Sequence, residues 1–188
     1  WTSHQRNHHR SSDAELDLHS PLKGFWWSHV GWILCDKNNE WDADGIRDFN
    51  KFPELRFLTK HDWIPPWVAG VSCYLIGGWS GLVFGFLGST VLLWHSTFLI
   101  NSLAHVFGSR RFATEDTSRN NFALAVLTMG EGWHNNHHKA AYVARQGLRW
   151  WEIDVTWYVL VLLERLHVIR DVKRPRVLDD APEVPVSA

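Results

Sequence analysis

Histidine is concentrated in two short clusters of this sequence. His4, His8 and His9 lie near the amino terminus, and the run HNNHH at 134–138 supplies three more. On a helix, residues three or four positions apart share one face, so each cluster can direct several imidazoles toward one point. Histidine is the commonest metal-binding side chain in proteins, and the two clusters therefore predict a metal site.

The types of ligand indicate which metals suit this site. Neither cluster contains a cysteine, which disfavours a closed zinc site built on thiolates. Imidazole suits iron, copper, zinc and nickel alike. Seven histidines in three segments, the two clusters and His105, exceed the needs of one ion, so we expect two. Two irons can activate O2 and so oxidise an unactivated C–H bond.

An uncharged segment separates the two clusters. Residues 63–109 contain no Asp, Glu, Lys or Arg. One crossing of a bilayer core takes about 20 residues, so this segment can hold two spans, which we place at 67–84 and 90–107 with a turn at 85–89. The segment thus predicts a transmembrane hairpin that returns the second cluster to the side of the first. The alternative is a buried helical hairpin in a soluble helical domain.

Charge and tryptophan content indicate how the hairpin is oriented. All 19 Lys and Arg lie outside the uncharged segment, so the positive-inside rule puts both flanks, with their histidines, in the cytosol. The 13 tryptophans suit a membrane interface. We expect an integral protein of a bacterial inner membrane or its equivalent. The net charge of −1 gives no electrostatic reason to expect a nucleic-acid partner.

The sequence therefore predicts an all-α protein, a membrane helical hairpin with a cytosolic helical cap. It divides into four regions: a cytosolic segment at 1–62, the two-helix transmembrane hairpin at 63–109, a cytosolic cap at 110–174 and a disordered tail at 175–188. An interfacial helix is expected over 42–60 and further helices over 120–129 and 150–169. The last of these carries too many charges to span a membrane and is expected to be amphipathic.

Four stretches carry a resemblance to a known family: HHRSSDAELDLHSP (8–21), GFWWSHVGWIL (24–34), FLINSLAHVFGSRRF (98–112) and GEGWHNNHH (130–138). In this order and spacing the sequence resembles the membrane acyl-CoA and acyl-lipid desaturases of the stearoyl Δ9 type, in their bacterial form. The resemblance implies a helical membrane enzyme in which histidine boxes hold two irons. With O2 and two electrons, such an enzyme introduces a cis double bond into a long acyl chain.

The resemblance also implies roles for individual residues. It assigns iron ligation to six histidines: His8, His9, His105, His134, His137 and His138. It matches Asn101 to a residue that reaches one iron through water, and Asn101 lies one helical turn before His105, on the same face. Trp94 matches a tryptophan near the thioester end of the substrate, and its alternative role is that of an interface anchor.

The sequence departs from the family pattern in two places. The HxxHH box requires a histidine three residues before His8, where Gln5 stands, and His4 lies one residue earlier. We favour His4 as the ligand, with a helical adjustment, because an amide oxygen is a poor substitute for imidazole on iron. The family's HxxxxH box is expected upstream of Trp1, so we expect the isolated 188-residue chain to be an inactive fragment.

These observations together predict an oxidoreductase of fatty acid biosynthesis, the C-terminal part of a di-iron, O2-dependent Δ9 acyl desaturase. Its expected partners are a long-chain acyl-CoA or acyl-lipid, membrane lipids, and an electron donor such as ferredoxin, rubredoxin or cytochrome b5. Two alternatives stay open: a membrane di-iron hydroxylase, or a non-catalytic metal-binding fragment.

Asp13, Glu15 and Asp17 either accept hydrogen bonds from ligand imidazoles or form a solvated acidic run. His29 is expected to be structural.

Overall fold

The structure is a computed structural model that describes residues 2–38 and 40–175. Within these residues every regular element is a helix, and isolated β-bridges join Asn120 to Ser109 and to Trp133. The prediction of an all-α fold is confirmed. The predicted tail at 175–188 lies, apart from its first residue, outside the described residues.

The helices are mostly short, apart from those of the uncharged segment. They are α1 (Thr2–Ser11), α2 (Phe25–His29), α3 (Arg47–Asn50), α4 (Pro53–Lys60), α5 (Ile64–Ser80), a π-helical stretch (Gly81–Gly88), α6 (Ser89–Val106), α7 (Phe122–Leu127), α8 (His134–Lys139) and α9 (Val155–Arg165). Single 3₁₀ turns lie at Pro21–Lys23, Gly31–Leu34, Asp36–Asn38 and Asp44–Ile46.

Local chemistry explains where several of these helices begin. The expected helix over 42–60 is interrupted at Phe52, whose backbone is extended because Pro53 follows it and disfavours helical geometry. α7 begins after Asn121, whose side chain accepts a hydrogen bond from the Leu124 amide. α9 begins after Asp154, whose carboxylate accepts from the Trp157 amide. Both caps therefore start the helices a few residues later than the sequence pattern suggests.

The uncharged segment folds back on itself at a glycine. Gly78 has φ +57° and ψ −145°, a conformation that glycine alone adopts readily. Beyond it the chain packs against α5 so closely that a Cβ on Gly81 would lie 2.1 Å from the carbonyl oxygen of Cys73. A Cβ on Gly70 would lie 3.2 Å from the Phe86 ring. The reversal therefore occurs at Gly78 and not at the expected 85–89.

Ile64–Val106 is the one candidate membrane segment among the described residues, judged by length and composition. Its most apolar 18-residue window has a mean hydropathy of 1.6, and only 6% of that window is buried within the protein. Leu75, Ile76 and Leu92 are 77%, 89% and 72% exposed. An apolar surface this continuous is unusual for a protein surrounded by water.

The carboxyl-terminal end of α6 connects the hairpin to the histidine-bearing loops. Ile100 and Ala104 of α6 are buried against Leu124 of α7. Gly132 approaches α7 so closely that a Cβ there would lie 2.1 Å from the Ala125 nitrogen. This packing sets the distance between α6, which carries His105, and the segment that leads into α8.

Candidate metal centre

Four imidazoles from three separate helices converge at one point. His8 of α1, His105 of α6, and His134 and His138 of α8 each offer a ligand atom, and these atoms all lie within 4.8 Å of one another. The Nε2 atom of His134 is 3.1 Å from that of His105 and 3.0 Å from that of His138. We call these four residues the inner group.

Buried carboxylates orient two members of the inner group. The Nδ1 atom of His8 lies 2.9 Å from Asp17 Oδ2, and that of His138 lies 2.7 Å from Asp116 Oδ2. A carboxylate accepts a hydrogen bond from the protonated Nδ1, which leaves Nε2 as the lone-pair nitrogen that can bind a metal. Burial alone would raise the pKa of Asp116, but hydrogen bonds from His138 and Ser118 outweigh it and hold the pKa below its usual range.

His105 is oriented through a hydroxyl and a third carboxylate. Its Nδ1 atom lies 3.2 Å from Thr117 Oγ1, and Thr117 donates from both its hydroxyl and its amide to Asp13 Oδ2, at 2.6 and 2.7 Å. Burial raises the pKa of Asp13, yet the hydrogen bonds from His105 and Thr117 lower it further than burial raises it. The carboxylate is therefore ionised at neutral pH. Asp13 and Asp17 of the acidic run face the histidines, whereas Glu15 is exposed.

Two further histidines form an outer group beside the first. The Nε2 atoms of His9 and His137 are 3.1 Å apart, and the ring of His9 is 4.9 Å from that of His138. Burial, and then the proximity of His9, lowers the pKa of His137 to about 3. His137 is thus neutral at pH 7 and its lone pair is available to a metal.

The outer group opens into a cavity of about 250 Å³. The cavity is lined by Gln5, His9, Thr97, Ile100, Asn101, Glu131, His134, His137 and Gln146. Burial, and then repulsion by Asp154, raises the pKa of Glu131. The cavity gives a small molecule access to the side chains of His9 and His137.

Asn101 is held in place from the far side of α6. It is buried, its carbonyl accepts a hydrogen bond of 2.5 Å from Ser28 Oγ, and its side-chain Nδ2 has no partner among the described residues. The neighbouring Ser102 hydroxyl lies 3.0 Å from His29 Nδ1, and His29 Nε2 lies 3.0 Å from His95 Nδ1. α2 therefore holds α6 in place through Ser28 and His29. Neither contact uses the Asn101 side chain, which lines the cavity.

His4 and Trp94 lie outside these two groups. The ring of His4 packs edge-on against Trp32, with 5.8 Å between centroids, and lines a different cavity with Ser3 and Trp41. Trp94 is 57% exposed on α6. The structure thus brings six of the expected histidines and Asn101 together, and places His4 and Trp94 apart from them.

The two asparagines of HNNHH anchor the short helix α8. Asn135 Oδ1 accepts hydrogen bonds from the amides of Arg111 and Phe112, at 2.8 and 2.7 Å. Asn136 Nδ2 donates to the buried carboxylate of Glu152 at 2.9 Å. These side chains are fully satisfied by the surrounding loops, and they hold the three histidines of α8 at fixed positions.

Sequence reasoning missed Asp116, Glu131 and Gln146. Asp116 is 22 residues from His138, and no periodicity connects residues so far apart. Gln146 belongs to an irregular loop. Glu131 lies three residues before His134 within GEGWHNNHH, and that proximity is the one signal that could have singled it out.

The spacing of the inner nitrogens fits a bound metal ion. Two imidazole nitrogens that bind one ion at about 2.1 Å lie about 3.0 Å apart at a right angle and about 3.4 Å apart at a tetrahedral angle. The observed separations are 3.0 and 3.1 Å. An all-imidazole donor set suits iron as well as zinc and copper. The residues present therefore fit a transition metal.

The fold and the site define a helical protein in which a buried histidine cluster that could hold a metal ion lies beside one long apolar segment. The family profile for fatty acid desaturases matches residues 1–165. The chain belongs to the fatty acid desaturase family, and the resemblance seen in the sequence is confirmed.

Curated relatives extend this match along nearly the whole chain. The chain is 41% identical to the palmitoyl-monogalactosyldiacylglycerol delta-7 desaturase of Arabidopsis thaliana, over 93% of this chain and 48% of that protein. It is equally similar, at 41%, to the acyl-CoA C20 Delta5-desaturase of Anemone leveillei (93% and 57%) and to the sn-1 stearoyl-lipid 9-desaturase of Anabaena variabilis (92% and 64%). The chain thus spans about half to two thirds of the length of these relatives.

Proposed function

We propose that this chain carries the histidine centre of a di-iron, O2-dependent acyl desaturase, which introduces a cis double bond into a long acyl chain. One observation carries the proposal. Six imidazoles from three distant segments of the chain converge in two adjacent groups, the inner group and the outer group. A single structural ion would need only the inner group. The outer group, open to a cavity, is what an oxidation centre requires in addition.

The residues of the chain prepare this centre for its metals. Asp17, Asp116 and Asp13, the last through Thr117, fix the protons of three histidines on Nδ1, so that their Nε2 lone pairs point inward. Two irons, when bound, would supply with O2 the oxidant that removes two hydrogens from neighbouring methylenes. Asn101 faces the cavity one turn before His105, and we propose that its amide reaches one metal position through water.

The proposed substrate is a long acyl chain carried by coenzyme A or a lipid, because the relatives are named for acyl-CoA and acyl-lipid substrates. We propose desaturation at Δ9, following the stearoyl-lipid relative, although the other two relatives act at positions 5 and 7. Trp94 is proposed to contact the thioester end. Which methylenes react depends on how the chain is positioned beside the metals.

We further propose that Ile64–Val106 lies in a membrane with both flanks in the cytosol. The 6% burial of its apolar window supports this, because lipid is the solvent in which such a surface is stable. Electrons are proposed to come from a ferredoxin, a rubredoxin or cytochrome b5. The sequence contains no CxxC pair with which the chain could hold a redox centre of that kind.

The decisive experiment measures iron and product together. The protein is expressed from its complete reading frame in a bacterial host, purified in detergent and analysed for iron per chain, while host lipids are analysed for double bonds. We expect two irons per chain and new cis double bonds, both lost in the His134→Ala variant. Two irons with only hydroxylated product would replace desaturation by hydroxylation, and protein without iron would refute the metal centre itself.

A further inference from the structure

The two histidine groups offer very different surroundings to a metal ion. The inner group presents four imidazoles, of which His8, His105 and His134 are buried. The outer group presents two imidazoles, His9 and His137, at the wall of an open cavity. A third histidine at that wall, His134, belongs to the inner group. The remaining polar side chains there are a hydroxyl, three amides and one carboxylate: Thr97, Gln5, Asn101, Gln146 and Glu131.

The register of α1 decides which amino-terminal side chain completes the outer group. Gln5 lies four residues before His9, so the two side chains share a helix face, and both line the cavity. His4 lies four residues before His8 and does not line this cavity. Its ring contacts Trp32 and lines a separate cavity.

We propose that Gln5, and not His4, faces the outer metal position, so that this chain binds its two metal ions with unequal affinity. The inner ion is held by four imidazoles, and the outer ion by His9 and His137 with the amide of Gln5. This inference rests on the proposed metal centre and goes beyond it, because it concerns a position at which this chain departs from the HxxHH pattern of its family.

The physical reason is the difference between an imidazole and an amide as a ligand. An amide oxygen is a harder and weaker donor than imidazole for divalent iron, cobalt or zinc. Loss of a hydrogen-bonding partner behind a ligand already weakens metal binding 10–100-fold, so replacement of a ligand itself should cost at least about tenfold. The outer ion should also exchange faster, because the cavity exposes it to solvent.

The test is a metal titration of the purified, metal-free protein with Co²⁺, whose visible absorption reports the ligands directly. The wild-type protein should show two classes of binding, the weaker at least about tenfold below the stronger. Gln5→His should strengthen the weaker class by about tenfold or more and shift its absorption band. His4→Phe keeps an aromatic ring against Trp32 but removes the nitrogens, and it should leave both classes unchanged.

The outcomes separate this inference from the proposed function. If both classes bind cobalt, but His4→Phe weakens one of them or Gln5→His changes neither, the assignment of Gln5 is wrong while the metal centre stands. Two cobalt ions bound with equal affinity by the wild-type protein would also overturn the assignment of Gln5. If no cobalt binds, the metal centre fails and the inference fails with it.

Discussion

Asp116 is a single side chain through which the metal affinity of the inner group can be altered without touching a ligand. Its Oδ2 atom accepts from His138 Nδ1 at 2.7 Å, while Oδ1 accepts from the Ser118 amide at 2.9 Å and the Thr114 hydroxyl at 3.0 Å. In an Asp116→Asn variant, the amide oxygen must remain with the two donors on the Oδ1 side. The amide NH2 group then faces His138.

This exchange reverses the direction of the hydrogen bond to His138. Because the NH2 group can only donate, His138 Nδ1 must accept and the ring proton moves to Nε2, the atom that lies 3.0 Å from His134 Nε2. A protonated Nε2 cannot bind a metal. Loss of such an orienting partner costs about 10–100-fold in metal affinity, or about 1.4–2.7 kcal/mol.

The assay is a competition titration of metal-free protein with Fe²⁺ under anaerobic conditions, with a chelator of known affinity. Asp116→Asn should weaken the tighter class by about 10–100-fold. Glu115→Gln is the matched control, because Glu115 is adjacent, carries the same charge and is exposed. The reasoning is refuted if Asp116→Asn binds iron as tightly as the wild type, or if Glu115→Gln loses as much affinity.

Three further predictions concern stability, each measured as the free energy of unfolding of the metal-free protein in detergent. Gly132→Ala should cost about 1–3 kcal/mol by overpacking, because its Cβ would lie 2.1 Å from the Ala125 nitrogen. Gly77→Ala is the control, since a Cβ there has no neighbour within 4 Å. Equal losses in the two variants would contradict this. His29→Ala should cost about 1–3 kcal/mol through its lost hydrogen bonds. In a separate measurement on metal-loaded protein, the variant should keep the wild-type metal content, and a loss of metal would make His29 part of the centre. His19 and His137 have pKa values lowered to about 3, chiefly by burial. Below pH 6.5 the unfolded chain therefore binds protons that the folded protein does not. The free energy of unfolding should fall by up to about 1.4 kcal/mol per pH unit and per group between pH 6.5 and 3. A free energy of unfolding that stays constant from pH 7 to 5 would exclude this.

Much of the architecture could be predicted from local patterns. The run without charges from 63 to 109 contains the apolar segment, and the HNNHH motif forms a helix whose histidines share a face. The structure has the turn at Gly78 rather than at the expected 85–89, because several glycines in the segment are equally suited to a turn. Gly78 forms it because the close approach of Gly81 to Cys73 and of Gly70 to Phe86 requires the reversal there. No local signal distinguishes Gly78 from Gly85 or Gly88.

The candidate site shows the same division between local and long-range information. The sequence by itself determined which ligands are available, because residue type and helical spacing decide which imidazoles can share a face. Only the tertiary structure decided which side chains meet. Asp116 reaches His138 across 22 residues, and Asp13 reaches Thr117 across 104. The rotation of α1 directs Gln5 rather than His4 to the cavity, because Trp32 packs against the other face of the helix, and such packing has no signature in the spacing of the residues.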